Sequence, residues 1–418
     1  MAAGGQDHVN FRTVLSRRDF FRVWLSQAVS YLGDRLTQVA LTIYVLRLSE
    51  GSATAIGVFL LAQSVPVIVL GPFAGVLVDR WDKRRTMVAC DVARAAIIAC
   101  APFLGDARLL YLIAFLMSAV STVFTPALQA SVPELLGRRE EILVANSLLY
   151  STKYFTDLLG FSLAGAVVMA AGLDAAFFID SFTFMLSALF IIGVSKVLVA
   201  GTPKRITPAG VWEDLKAGIR YHGSNPVVLS LLVSFGLGVL AMGGLNTLLI
   251  VAVERLLGVG EYWWGFLLSV QAVFMFAATA ATGRWGQKVP RPLLIVPGFL
   301  GIGLCAIALS VTRSLPLAFV VYAVLGVANA LFLVPSVTWI QEVVPFELRG
   351  RVLGLRGMVL NLSAIISYAV AGPLGDILGV TPVMAGIGAF LCLAAVFSAT
   401  LPGFRDSFAR KPPADLPV

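Results

Sequence analysis

Twelve long apolar segments limit what this chain can fold into. Each has close to the roughly 20 mostly apolar residues that a helix needs to cross a bilayer. None alternates apolar and polar residues as a strand of a membrane β-barrel does, and backbone groups in lipid must be hydrogen-bonded internally. We therefore predict an all-α membrane protein with twelve transmembrane helices. The segments are residues 23–46, 54–78, 86–104, 109–130, 142–171, 175–195, 226–252, 262–283, 291–312, 315–340, 354–375 and 381–401.

The composition argues against most other classes of protein. Of the 418 residues, 58% are hydrophobic and only 13% are charged, which is about half the charged share of an ordinary soluble domain. A water-soluble enzyme is therefore not expected. The four cysteines lie far apart within apolar segments, so we predict no disulfide framework, no metal site and no cofactor. Because no nucleophile–base set is evident and the tails are short, we expect neither a membrane enzyme nor a receptor or scaffold.

The positive charges predict how the chain lies in the membrane. With both termini in the cytoplasm, 24 of the 31 Lys and Arg residues fall on the cytoplasmic side, four fall in outer loops and three fall within helices. Such a bias over short loops is the positive-inside pattern. It predicts that both termini lie inside; the membrane we expect is the bacterial cytoplasmic (inner) membrane. The net charge of +8 then suits contacts with anionic membrane lipids, and no nucleic-acid partner is expected.

The longest loop divides the chain into two halves. We predict an N-terminal six-helix bundle over residues 1–195, a cytoplasmic linker with a short amphipathic helix over 196–225, and a C-terminal bundle with a short tail over 226–418. The apolar face of the linker helix would consist of Trp212, Leu215 and Ile219.

The two halves also resemble each other in sequence. Gln129 and Pro133 follow the fourth segment, and Gln341 and Pro345 follow the tenth at the same offset of 212 residues. An acid and two arginines come after each pair. This placement predicts two parallel six-helix repeats.

The loop between the second and third segments carries the most specific motif. It reads Gly75-Val76-Leu77-Val78-Asp79-Arg80-Trp81-Asp82-Lys83-Arg84-Arg85. In this position and within a twelve-helix frame, it resembles the Gly-x-x-x-Asp-Arg-x-x-Arg-Arg signature of the major facilitator superfamily. Residues 30–34, 178–182 and 347–351 are similar to stretches of its drug-exporter branch, which includes macrolide efflux proteins. The resemblance covers nearly the whole chain and implies a transporter that works by alternating access.

We expect the loop motif to form a cytoplasmic gate. Gly75 would let a neighbouring helix approach closely. The resemblance implies that Asp79 bonds the N-terminus of the eleventh helix, where the helix dipole favours a negative charge. Arg80 and Arg84 would pair with acids such as Glu134. The predicted gate residues are Gly75, Asp79, Arg80, Arg84, Arg85 and Glu134.

Ionisable residues at membrane depth occur only in the first half, where they are costly and therefore candidates for function. Asp34, Asp157 and Asp180 are candidates for carrying protons. Asp34 is the strongest, because Arg35 points about 100° away from it around the helix. The candidate basic partners within the membrane are Arg35, Arg94 and Lys153.

Structural roles for the same charges stay open. Asp34 could form a static pair with an arginine or lysine. Asp157 has Lys153 four residues before it on the same helix face. Asp180 could equally make a bond between helices, and Asp91 with Arg94 could brace the third helix.

The substrate is indicated only by neutral side chains in the second half. Soft, aromatic and amide groups suit a bulky amphiphile, although packing or lipid contact would explain them too. The cavity candidates are Met242, Asn246, Gln271, Phe274, Asn329, Phe332 and Asn361.

Together these features predict a secondary active transporter that exports hydrophobic or amphiphilic compounds in exchange for protons. A lipid or lysophospholipid transporter of the same fold is the first alternative, because the intramembrane cations could bind a phosphate head group. A siderophore exporter is the second. We expect a monomer whose partners are a small amphiphilic substrate, protons and membrane lipids.

Overall fold

A computed structural model of the protein describes residues 10–196, 208–286 and 289–408. All regular secondary structure in these ranges is helical. The helices are α1 (Phe11–Leu15), α2 (Arg18–Leu48), α3 (Ala53–Arg80), α4 (Lys83–Ala99), α5 (Ala107–Leu136), α6 (Arg139–Ile192), α7 (Pro208–Ser224), α8 (Pro226–Arg255), α9 (Trp263–Trp285), α10 (Arg291–Val311), α11 (Leu315–Val343), α12 (Phe346–Leu378), α13 (Val380–Thr400) and α14 (Pro402–Phe408).

Ten of the described helices are long and apolar enough to cross a membrane. One of them, α6, has 54 residues, and a straight helix of that length would be roughly 80 Å long, far more than one span requires. Gly172 divides it, because its φ of 84° and ψ of 179° interrupt the helix in a region that side chains disfavour. Together with the 31-residue α2, the helices account for all twelve predicted segments. The predicted fold class is confirmed.

Contacts within the chain define two units. The N-terminal unit comprises the described parts of Met1–Tyr44 and Ala62–Arg205, and the C-terminal unit comprises those of Val45–Leu61 and Ile206–Val418. The end of α2 and the start of α3 therefore belong by their contacts to the C-terminal unit, although they lie in the first half of the sequence.

Each unit has its own packing. In the N-terminal unit, α4 packs against α5 and α6. A hydrophobic cluster there includes Phe20, Met87, Phe124 and Ile191. In the C-terminal unit, α10 packs with α11 and α13, α9 with α11, and α8 with α12.

The predicted linker is described only in part. Residues 197–207 lie outside the described ranges, as do the side chains of Trp212 and Leu215. The predicted helix corresponds to α7, which packs against α12. Ile219 is exposed, and Gly218 lies against the backbone of Arg351.

Candidate functional site

The N-terminal unit contains a cavity of about 240 Å³ between α2, α4, α5 and α6. Hydroxyl, amide and charged groups form much of its lining, and three of its four helices contribute a row of polar side chains. The rows are Gln27, Tyr31 and Asp34 on α2, Ser121, Thr125 and Gln129 on α5, and Asn146, Tyr150 and Lys153 on α6.

The spacing of these rows explains why they meet in one place. Within each row the residues are three or four apart, so they lie on one face of their helix. Trp24 fixes α2 against α6 beside the cavity, because its indole Nε1 donates a hydrogen bond to Thr152 Oγ1 at 2.8 Å. Most residues of the rows were not predicted as site residues from the sequence. Their regular spacing is the signal that would have found them.

Arg35 is held by Asp157 rather than left free. Its Nε lies 2.7 Å from Asp157 Oδ1, and both side chains are largely buried. The guanidinium carbon also lies 5.2 Å from the centre of the Phe161 ring, within cation–π range. The alternative that paired Asp157 with Lys153 is therefore wrong. Lys153 lies one helical turn before Asp157 on α6, but Arg35 reaches the Asp157 carboxylate from α2.

Arg94 is enclosed by an acid and two aromatic rings. It forms an ion pair with the fully buried Asp91 on the same helix, and Ser187 Oγ donates a hydrogen bond of 2.7 Å to the other carboxylate oxygen of Asp91. The guanidinium carbon lies 4.3 Å from the ring centres of both Phe124 and Phe184. This pair links α4 to α6, as the bracing interpretation of these residues expects.

Asp180 is not part of the cavity lining and lies in the packing between α2 and α6. It is fully buried and interacts with two hydroxyl groups. Thr37 Oγ1 donates to its Oδ2, and Thr183 Oγ1 lies 3.0 Å from its Oδ1. No ion pair joins Asp180 to a cation in the described residues.

Asp34 differs from the other three acids at this depth. It lines the cavity, and in the described part of the chain it has neither an ion pair nor a hydrogen bond to a side chain. Arg35 beside it points to Asp157, as the helix geometry predicts.

The loop motif of the predicted gate is built around a helix cap. Asp82 precedes α4 and accepts a hydrogen bond of 2.9 Å from the backbone N–H of Arg85, which satisfies a free helix-end donor. The buried Lys83 pairs with Glu134 at 2.7 Å, and Arg84 Nη1 donates to the carbonyl of Val194 at 2.7 Å. Glu134 is therefore bound by Lys83 and not by Arg80 or Arg84, a correction to the predicted gate.

The remaining gate residues lie in more open surroundings. Arg80, Trp81 and Arg85 line a groove of about 750 Å³ whose other wall is largely apolar. A β-carbon built on Gly75 would meet no atom within 4 Å among the described residues, so the close approach predicted at Gly75 is not present there. The predicted role of Asp79 toward the eleventh helix stays a prediction.

The cavity candidates of the second half differ in their surroundings. Phe332 is 8% exposed and packs against Phe235 and Phe299 with ring centres 5.2 and 4.8 Å away, so it is a packing residue of the C-terminal unit. Asn329 donates its amide to the carbonyl of Leu325 on its own helix at 3.0 Å. Asn246, Phe274 and Asn361 are exposed, whereas Met242 and Gln271 are half-buried.

The sequence as a whole matches one family. The model of the Major Facilitator Superfamily matches residues 23–368 and 257–415. The chain belongs to the Major Facilitator Superfamily. It is an integral membrane protein whose fold and relatives are those of transporters, and no enzyme family is indicated.

Relatives and solved structures within the Major Facilitator Superfamily agree with this assignment. The MFS-type transporter YfiS of Bacillus subtilis (strain 168) is 25% identical over 409 residues, which cover 92% of this chain and 93% of the relative. Macrolide efflux protein A of Streptococcus pyogenes is 24% identical over 376 residues, covering 86% and 90%. The crystal structure of a bacterial homologue of the human lysosomal transporter Spinster aligns with a TM-score of 0.73 at 15% identity, covering 96% and 99%.

Proposed function

We propose that this transporter exports hydrophobic or amphiphilic compounds in exchange for protons, with Asp34 as the proton carrier. One observation supports Asp34 above the other acids. It faces the cavity without a counter-ion, whereas Asp91 and Asp157 are bound to arginines. A carboxylate that lines a cavity and has no fixed partner is free to bind either a proton or a substrate.

The other acids then have supporting roles. Asp157 orients Arg35 at the edge of the cavity, and Asp91 orients Arg94. Asp180 interacts with the hydroxyls of Thr37 and Thr183 in the packing between helices, where a substrate has no access. The similarity to macrolide efflux protein A supports export as the direction.

Transport into reconstituted vesicles tests this proposal. Purified protein in vesicles with an acidic interior should accumulate a lipophilic dye, and a protonophore should stop the accumulation. The Asp34→Asn variant should lose this uptake. Asp174→Asn is the matched control, since Asp174 is exposed and is not among the residues that line the cavity. Equal uptake by the Asp34→Asn variant would remove Asp34 from the mechanism.

A lysophospholipid transporter is the second candidate, and the groove beside the loop motif supports it. Arg80, Trp81 and Arg85 line this groove, and Leu70 and Val120 form part of its apolar wall. Basic side chains beside an apolar wall match a phosphate head group and an acyl chain. Movement of a fluorescent lysophospholipid without a proton gradient, lost on substitution of both arginines by Gln, would favour this candidate over drug export.

A further inference from the structure

Two opposite charges in the cavity of the N-terminal unit have no partner in the described residues. Asp34 on α2 and Lys153 on α6 both line this cavity. The other two charged residues of the lining are ion-paired, Arg35 with Asp157 and Arg94 with Asp91. Asp34 and Lys153 are not within ion-pair distance of each other.

Lys153 is free because its nearest acid in sequence is already bound. Asp157 lies one helical turn after it and would be its natural partner, but Arg35 Nε lies 2.7 Å from that carboxylate. The Lys153 side chain is exposed and shares its helix face with Tyr150 and Asn146, which also line the cavity. The same stretch of the lining therefore also offers a hydroxyl and an amide, which are further hydrogen-bond donors for an anion.

The charges of the cavity specify the kind of solute that suits it. With both arginines neutralised by their acids, one negative and one positive charge remain. A solute with a single charge would leave the other cavity charge unpaired within the membrane, which is unfavourable. A solute with both an amine and an anionic group satisfies both.

We propose that the cavity binds a zwitterionic amphiphile, with its amine at Asp34 and its carboxylate or phosphate at Lys153. This inference deepens the proposed transport function, on which it rests, by naming the substrate class. Tyr31, Gln27 and Gln129 supply hydrogen bonds to the polar part of the molecule, and Phe124 and Leu128 supply apolar contact for the rest. Asp34 cannot bind the substrate amine and a proton at the same time, so this substrate fits an exchange mechanism.

Binding of one dipeptide in four forms tests the proposal. The full-length protein in lipid nanodiscs is titrated with leucyl-phenylalanine, its N-acetyl form, its C-terminal amide and the doubly blocked form. Each charge-assisted hydrogen bond is expected to contribute about tenfold in affinity. The free dipeptide should therefore bind about tenfold more tightly than either singly blocked form. Lysophosphatidylethanolamine is titrated in parallel as a zwitterion that carries phosphate.

Substitutions assign each charge of the solute to its residue. In the Lys153→Gln variant the free dipeptide and its amide should bind equally, and in Asp34→Asn the free and N-acetyl forms should bind equally. Lys153→Arg should keep the preference for a free carboxylate, and the Asp174→Asn control should behave as the native protein.

The outcomes separate this proposal from its rivals. Binding of the dipeptide that depends on Lys153 assigns a carboxylate, and binding of the lysophospholipid that depends on Lys153 assigns a phosphate; either result supports the proposal. Equal affinity of the native protein for all four dipeptide forms, together with lysophospholipid binding that ignores Lys153, would overturn it. If the native protein does not export the dye but still prefers the free dipeptide to its blocked forms, proton-driven export is refuted and the zwitterion site stands.

Discussion

Gly33 of α2 lies directly against Asp180 of α6. A methyl group on Gly33 would overlap the Asp180 carboxylate and the Thr183 hydroxyl. Asp180 is fully buried and bonded by Thr37 from α2. The missing side chain at position 33 is therefore what allows the two helices to enclose this carboxylate.

Replacing Gly33 by alanine should destabilise the protein, although alanine is the better helix former. Overpacking at a filled site costs about 1–3 kcal/mol, so the unfolding temperature in detergent should fall. Gly386→Ala is the matched control, because Gly386 lies within α13 and a β-carbon there would meet no atom within 4 Å. A Gly33→Ala protein that unfolds at or above the native temperature would contradict the close contact.

Asp376 caps the start of α3 from the far end of α12, within the C-terminal unit. Its carboxylate accepts hydrogen bonds of 2.9 Å from the backbone N–H groups of Ala53 and Thr54 and one of 2.8 Å from Ser52 Oγ. The two backbone N–H groups are donors that a helix leaves free at its N-terminus, where a negative charge is also favoured.

Asp376→Ala should therefore loosen the start of α3. Loss of a helix cap costs about 0.5–2 kcal/mol, and hydrogen exchange of the Ala53 and Thr54 amides should become faster. Asp174→Ala removes an exposed acid that caps nothing and serves as the control. Unchanged exchange at these two amides would show that the cap adds no protection.

Glu261 should make the stability of the C-terminal unit depend on acid. Burial alone would raise the pKa of Glu261, but the bonds of 3.2 Å that Arg47 donates to both carboxylate oxygens lower it overall, below its ordinary value of 4.5. A carboxylate whose pKa is lower in the folded state stabilises the fold above pH 4.5, and this contribution is lost as the pH falls below that value.

Glu261→Gln should then reduce the fall in unfolding temperature between pH 6 and pH 4. The effect should be small, under about 1 kcal/mol, because half-exposed pairs are screened by water. Glu140→Gln, at an exposed acid on α6, should leave the pH profile unchanged. A Glu261→Gln profile that matches the native one would exclude this contribution.

The sequence predicts the helices well because length and apolarity alone decide whether a segment can span a bilayer. Even the break in α6 at Gly172 falls between two predicted segments. The grouping of Val45–Leu61 with the C-terminal unit could not be predicted in this way. It depends on contacts between distant parts of the chain, such as the cap from Asp376.

Partners of charged side chains were harder to predict than helices. Spacing along one helix suggested Lys153 for Asp157, and the expected cytoplasmic gate suggested Arg80 or Arg84 for Glu134. In the structure, Asp157 pairs with Arg35 and Glu134 pairs with Lys83. A long basic side chain reaches across to a neighbouring helix as easily as along its own, so sequence spacing does not decide between the two.

The Arg35–Asp157 pair should be detectable as a coupling between the two side chains. Each side chain is at least three-quarters buried, so removing one partner leaves a largely buried charge uncompensated. Asp157→Asn and Arg35→Gln should each lower stability, and the double variant should lose less than their sum by about 1–3 kcal/mol. Lys153→Gln is the matched control on the same helix and should leave stability nearly unchanged, since Lys153 is exposed. Strict additivity of the two single variants would show that the pair has no net interaction. Coupling of Asp157 to Lys153 instead of Arg35 would restore the pairing that helical spacing first suggested.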